Sequence, residues 1–223
     1  MILVLNNKSN YDSSSFEEYL NKLELFNNNN NLILCPSFCY LGMTRNSKID
    51  IGAQDVSSTS SLAMTGDVTA RQLKSLNVKY CIVGHADRSE SSEEVKEKIN
   101  RLFEYDIVPI LCVGENNRDS SSEEILKLCI QRLDFVLAEL SLENRKKVII
   151  SYEPKWAISG DIDLDIEKLN DILKSIKSSY PDNRLLYGGG VSASNYSKFD
   201  FNVIDGFLLG RIGNDVDKLV NIN

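Results

Sequence analysis

The chain has 223 residues, 42% hydrophobic and 26% charged, with 25 basic against 32 acidic side chains and a net charge of −7. That is enough apolar material for one sizeable core. It leaves no basic face, so a nucleic-acid or anionic-membrane partner is excluded. No stretch approaches about 18 consecutive apolar residues, so no membrane-spanning helix is expected. Met1 runs directly into the strand-like Ile2–Leu5, which predicts no signal peptide.

Along the chain, apolar runs occur at Ile2–Leu5, Leu32–Leu34, Ile49–Ala53, Tyr80–Val83, Val108–Val113, Val148–Tyr152, Leu185–Tyr187 and Gly206–Leu209. None alternates with polar residues, as expected of parallel strands covered on both faces. The segments between them carry helical patterns. In Glu93–Phe103, Val95, Ile99 and Leu102 share one face. In Glu123–Leu140 the stripe is Ile125, Leu128, Leu133, Val136 and Leu140. Ser92 and Ser121–Ser122 precede acidic starts as N-cap candidates, and Asp165–Ile176 makes a third helix. The Asn27–Asn31 tract and Ser57–Ser61 read as loops. Eight strands with helices between them predict a single (β/α)8 barrel domain over residues 1–223. The five cysteines, Cys35, Cys39, Cys81, Cys112 and Cys129, lie mostly in apolar runs and read as buried thiols of a reducing cytoplasm. Cys35 and Cys39 are close in sequence, but no second Cys or His pair completes a zinc site.

Barrels bind their ligands past the carboxyl ends of the strands. Collected there are Asn6 and Lys8, the chain's one histidine His85, Glu153, the glycines Gly188, Gly189 and Gly190, and Gly210. Taken singly, His85 reads equally as a capped or solvated histidine, Lys8 as a surface lysine and the glycines as turns. Together they have a chemical logic. A carboxylate can remove a proton next to a carbonyl, a lysine and an imidazole can stabilise the resulting oxygen, and glycine turns can present amides to a phosphate. No metal-ligand cluster, nucleophile–histidine pair or dinucleotide fingerprint competes, so no metal or organic cofactor is expected.

Asn6-Asn7-Lys8, Gly52-Ala53-Gln54, Thr65-Gly66-Asp67, Val83-Gly84-His85-Ala86-Asp87-Arg88, Cys112-Val113-Gly114-Glu115, Tyr152-Glu153-Pro154-Lys155-Trp156-Ala157-Ile158, Tyr187-Gly188-Gly189 and Asp205-Gly206-Phe207-Leu208-Leu209-Gly210 occur in order along the chain. They resemble the motifs of triosephosphate isomerase. The resemblance implies a TIM barrel that interconverts glyceraldehyde 3-phosphate and dihydroxyacetone phosphate in the cytoplasm, as a homodimer. It makes Glu153 the general base, His85 the electrophile and Lys8 the cation that attracts the substrate, with Asn6 as its hydrogen-bonding neighbour. Cys112 corresponds to a supporting residue near the base, and Pro154, Lys155 and Trp156 to the first hinge of a lid. Thr65 and Gly66 correspond to a loop that reaches into the partner subunit, and Asp67 and Arg88 to an ion pair that braces it. Ser159, Gly160, Gly189, Gly190, Gly210 and Arg211 fall at the phosphate end.

The chain departs from that family around the pocket. Asp87 stands for a glutamate, Ala86 and Gly190 for serines, and Arg211 for a glycine. The lid segment 158–164 is rewritten, so that either Ser159 or Gly160 aligns with the glycine expected at the phosphate. Arg211 can fork onto the phosphate, crowd it or turn to solvent. Two rivals follow: an isomerase of another small sugar phosphate, such as a four-carbon one, and a catalytically silent barrel. Intact Glu153, His85 and Lys8 speak against the second.

Overall fold

A strand buried on both faces needs neighbours on both edges and cover above and below, and a closed ring of strands inside a ring of helices provides both. A computed structural model of the chain describes residues 1–26, 30–157 and 165–222. Among the described residues the strands are β1 (Ile2–Asn6), β2 (Asn31–Cys35), β3 (Asp50–Ala53), β4 (Tyr80–Val83), β5 (Val108–Val113), β6 (Ile149–Tyr152), β7 (Leu185–Tyr187) and β8 (Gly206–Leu209). They pair in parallel in chain order, and β8 returns to β1 to close the barrel. Strand alternation divides the core in two. Val4, Ile33, Ile82, Ile110, Ile149 and Leu208 form the inner cluster. Leu5, Val83, Leu111 and Ile150 belong to the larger cluster shared with the helices.

The helices are α1 (Ser13–Glu24), α2 (Ala70–Ser75), α3 (Ser92–Phe103), α4 (Ser122–Leu137), α5 (Leu142–Lys147), α6 (Ile166–Ser179) and α7 (Val216–Leu219). The cap of α3 is Ser91, whose hydroxyl accepts the Glu94 N–H at 3.1 Å, rather than Ser92. That register places Glu93 and Glu94 in the first turn, where acidic groups meet the positive end of the helix. In α4, capped by Ser121, the buried stripe is Ile125, Cys129, Leu133 and Val136, while Leu128 is 44% exposed. Cys129 takes the core position expected of Leu128. The helix ends at Leu137, short of Leu140. Four cysteines are buried, but Cys39 is exposed, because it sits on a 3-10 turn, Phe38–Thr44, outside the strands. No helix among the described residues is long and apolar enough to cross a membrane.

One charged group interrupts the apolar face of α3. Lys98 is only 2% exposed, and its ammonium reaches Asp55 at 2.7 Å and Glu90. Burial pulls the Lys98 pKa down, but the two carboxylates outweigh it and hold it above the ordinary value. Asp55 also meets Arg88 at 2.6 Å. This network ties α3 to the loops after β3 and β4.

Barrel closure rests on a glycine. Gly206 has φ +153°, and a Cβ there would stand 1.9 Å from the Ile2 carbonyl oxygen on β1. Gly206→Ala is therefore expected to destabilise the protein by about 3 kcal/mol or more. Thermal and denaturant melts check this, and a variant within about 0.5 kcal/mol of wild type would refute it.

Candidate active site

The residues expected at the strand ends converge at the carboxyl end of the barrel. Directly after β1, Lys8 adopts φ +50°, a left-handed conformation that costs a non-glycine residue about 1–3 kcal/mol. Its backbone is held on both sides. The Asn6 side chain accepts the Lys8 N–H at 3.2 Å, and the Lys8 carbonyl accepts from Ser37 Oγ at 2.6 Å and Gln54 Nε2 at 2.9 Å. The twist carries the ammonium to Asp87 Oδ2 at 2.7 Å. Burial raises the Asp87 pKa, but Lys8 and His85 outweigh that and leave it below the ordinary range. The aspartate standing in place of a glutamate thus still reaches the lysine.

His85 follows a turn at Gly84, whose φ of +72° suits glycine. The Gly84 N–H donates to Glu90 Oε2 at 2.9 Å, so the Lys98 network also anchors this turn. The Asp87 N–H donates to His85 Nδ1 at 3.1 Å. An Nδ1 that accepts carries no proton, which puts the ring proton of the neutral imidazole on Nε2. Nε2 lies 3.4 Å from Glu153 Oε2.

Glu153 is 2% exposed. Glycines make room for it on two sides. A Cβ on Gly188 would come within 2.4 Å of its Cγ, and one on Gly114 within 2.0 Å of its carbonyl oxygen. Its Oε1 accepts from Ser151 Oγ at 3.0 Å, while Oε2 has no hydrogen-bond partner among the described residues. Burial raises the Glu153 pKa above the ordinary value, opposed by His85, the Cys112 thiol, Ser151 and Lys8. A carboxylate of raised pKa with one open oxygen beside an Nε2–H donor can exchange a proton with a ligand that the imidazole polarises.

Beyond Glu153, Lys155–Ala157 form a single 3-10 turn pinned to Glu115. The Lys155 N–H donates to the Glu115 carbonyl at 2.9 Å, and Trp156 Nε1 donates to Glu115 Oε1 at 2.7 Å. Tyr152 donates to the other oxygen of the same buried carboxylate at 3.0 Å. The Arg118 guanidinium lies over the Trp156 ring at 5.4 Å.

His85 lines three adjoining cavities, one of which, of about 350 Å³, also holds Lys8, Gln54 and Asp87. A second, of about 280 Å³, is lined by Glu153, Cys112 and Arg132. The third, of about 260 Å³, is lined by Asn6, Lys8, Gly189, Gly190, Gly210 and Arg211. Arg211 thus stands on the cavity wall that the sequence assigned to phosphate. Ser159 and Gly160 lie outside the described residues.

Thr65 and Gly66 are exposed on the long loop after β3, and neither lines the cavities around His85. Asp67 and Arg88, expected as a pair, have other partners within the single chain. Asp67 accepts from Ser57 Oγ at 2.5 Å, and Arg88 bridges Asp55 and Glu90. The sequence reading assigned no role to Ser151, Glu90, Lys98 or Glu115. Lys98 alone carried a local signal, a charge on the apolar face of its helix.

Comparison with known proteins agrees with this geometry. The family model described as triosephosphate isomerase matches residues 1–223. The triosephosphate isomerase of Blochmanniella pennsylvanica is 34% identical over 81% of this chain and 76% of its own. Those of Baumannia cicadellinicola and Mesomycoplasma hyopneumoniae (strain 7448) are each 30% identical, over 98% and 99% of this chain and 92% and 97% of theirs. The chain belongs to the triosephosphate isomerase family.

Proposed function

We propose that this chain interconverts D-glyceraldehyde 3-phosphate and dihydroxyacetone phosphate, with Glu153 as the base and His85 as the electrophile. The observation that carries the assignment is the pairing of an unbonded Glu153 Oε2 with the Nε2–H side of His85 at 3.4 Å. Glu153 Oε2 takes a proton from the carbon beside the substrate carbonyl. The C–H electron pair becomes the C=C bond of an enediol, and the carbonyl electron pair moves to oxygen, where the His85 N–H stabilises it. The hydroxyl proton of the neighbouring carbon passes to the former carbonyl oxygen by way of His85 Nε2. Glu153 returns its proton to the former carbonyl carbon using the C=C pair, and the O–H pair left behind forms the new carbonyl, with no net change in redox state and no cofactor required. Lys8, held by Asn6 and bridged to Asp87, supplies positive charge to the developing oxygen and the phosphate. Gly189, Gly190, Gly210 and Arg211 line the cavity assigned to phosphate, and the resemblance assigns Ser159 and Gly160, outside the described residues, to the same group. Pro154, Lys155 and Trp156 form the first hinge of that lid, and Cys112 supports the base.

Thr65 and Gly66 lie in a loop that also exposes Leu62 (73%) and Met64 (51%). Exposed apolar side chains on a loop of this length favour a partner surface, and we assign it to a homodimer. The five free cysteines, four of them buried, suit a reducing cytoplasm.

The substrate is decided by comparing three- and four-carbon sugar phosphates in one coupled assay. Preference for the triose is expected, in line with the name triosephosphate isomerase that the relatives carry, and negligible triose turnover would sink the proposal. Glu153→Gln is expected to lower kcat about 10³-fold or more, the upper range for a lost general base. Its folding stability at neutral pH should be equal or higher. A carboxyl whose pKa rises on folding gives its stabilising effect below the unfolded value and loses it as pH climbs through the folded one. At neutral pH the buried charge is therefore a net cost that glutamine removes. For the same reason the acid limb of the wild-type kcat/KM profile should fall above the ordinary glutamate value of about 4.3. Met64→Asp should shift the protein to monomer in sedimentation runs at micromolar concentration and reduce turnover. A variant that stays dimeric would count against the loop as interface.

A further inference from the structure

Ser151 is fully buried on β6, two residues before Glu153. Alternation along a strand puts 151 and 153 on the same face and Tyr152 on the other, where it meets Glu115. A hydroxyl so placed must find a partner, because burying it unpaired is costly. Its partner is Glu153 Oε1 at 3.0 Å. The direction of the bond is informative. An ionised carboxylate only accepts, so the hydroxyl donates, and the bond is strongest with the charged form. Ala86, next to His85, has no hydroxyl to offer from the other side.

One carboxylate oxygen is therefore held, while the other has no hydrogen-bond partner among the described residues and lies 3.4 Å from His85 Nε2. We propose that Ser151 is a positioning residue for the isomerisation, holding Oε1 of Glu153, favouring its ionised form and turning Oε2 toward His85. The proposal rests on the reading of Glu153 as the base. Lys8, His85, Cys112 and Tyr187 are the other ionisable groups that act on Glu153. Glu90, Arg132 and Lys155 line the same cavity. All of them stay in place when only the hydroxyl is removed.

The test compares wild type, Ser151→Ala and Ser151→Thr in the full chain. The carboxyl of Glu153 is titrated by NMR in protein labelled with ¹³C-glutamate, its signal assigned by difference from Glu153→Gln. The pH profile of kcat/KM for the triose phosphate is measured alongside. In Ser151→Ala both the titration and the acid limb should move up by about one pH unit, from the loss of one charge-assisted hydrogen bond. Below the limb kcat/KM then falls about tenfold with KM little changed. Ser151→Thr, which keeps the hydroxyl, should titrate near wild type. An unmoved titration in Ser151→Ala overturns the proposal, as does an equal shift in both variants, which would make packing the cause. A moved titration with an unmoved acid limb also overturns the positioning role. Because the titration is read without substrate, a wild type lacking triose turnover is a separate result and counts against the base assignment itself.

Discussion

The site depends on a carboxylate taken out of water. Desolvating Glu153 is unfavourable by itself, and its surroundings are organised around that cost. Gly114 and Gly188 have no side chains because the carboxylate and its backbone occupy that volume. Ser151 donates a hydrogen bond to the charge, and the His85 N–H and the Lys8 ammonium favour the ionised form against burial. None of them engages Oε2 as a hydrogen-bond partner. The protein thus offsets enough of the cost to keep the carboxylate in place, with one oxygen free of hydrogen bonds among the described residues.

The same economy holds one layer further out. The orientation of His85 comes from a backbone N–H at Asp87 and from a turn clamped by Glu90, which is itself held by the buried Lys98. Losing either partner would strand a charge inside the protein, and broken buried ion pairs cost about 3–5 kcal/mol. Lys8, too, keeps its unusual backbone only through Asn6, Ser37 and Gln54. The supports of Lys8 and His85 therefore come from the ends of β1, β2, β3 and β4 and from α3, so no single local sequence window contains them all.

That explains what could be read in the sequence. The strands were legible because burial on both faces writes unbroken apolar runs such as Val108–Val113. The strand-end candidates stood out because they come just after those runs, as His85 comes after Val83-Gly84 and Glu153 after Tyr152. The supports were not. Ser151 looks like an unremarkable polar residue until the strand's register is known, and Glu115 until Tyr152 and Trp156 are seen to share it. Helix α1 escaped because Phe16, Tyr19 and Leu23 are its only fully buried positions in a polar, serine-led segment. The pairing of Asp67 with Arg88 came by resemblance, and within one chain both side chains are engaged elsewhere.

Trp156 is the chain's single tryptophan, beside nine tyrosines. Its indole N–H is bound to a buried carboxylate and its face is covered by a guanidinium, at the point where the described backbone leaves β6 for the segment 158–164. Displacing that turn would change both the charge beside the ring and the cover over it. Those two properties govern the wavelength and yield of indole emission. The fold has therefore placed its only long-wavelength fluorophore on the turn Lys155–Ala157, where it reports on that turn without any added label.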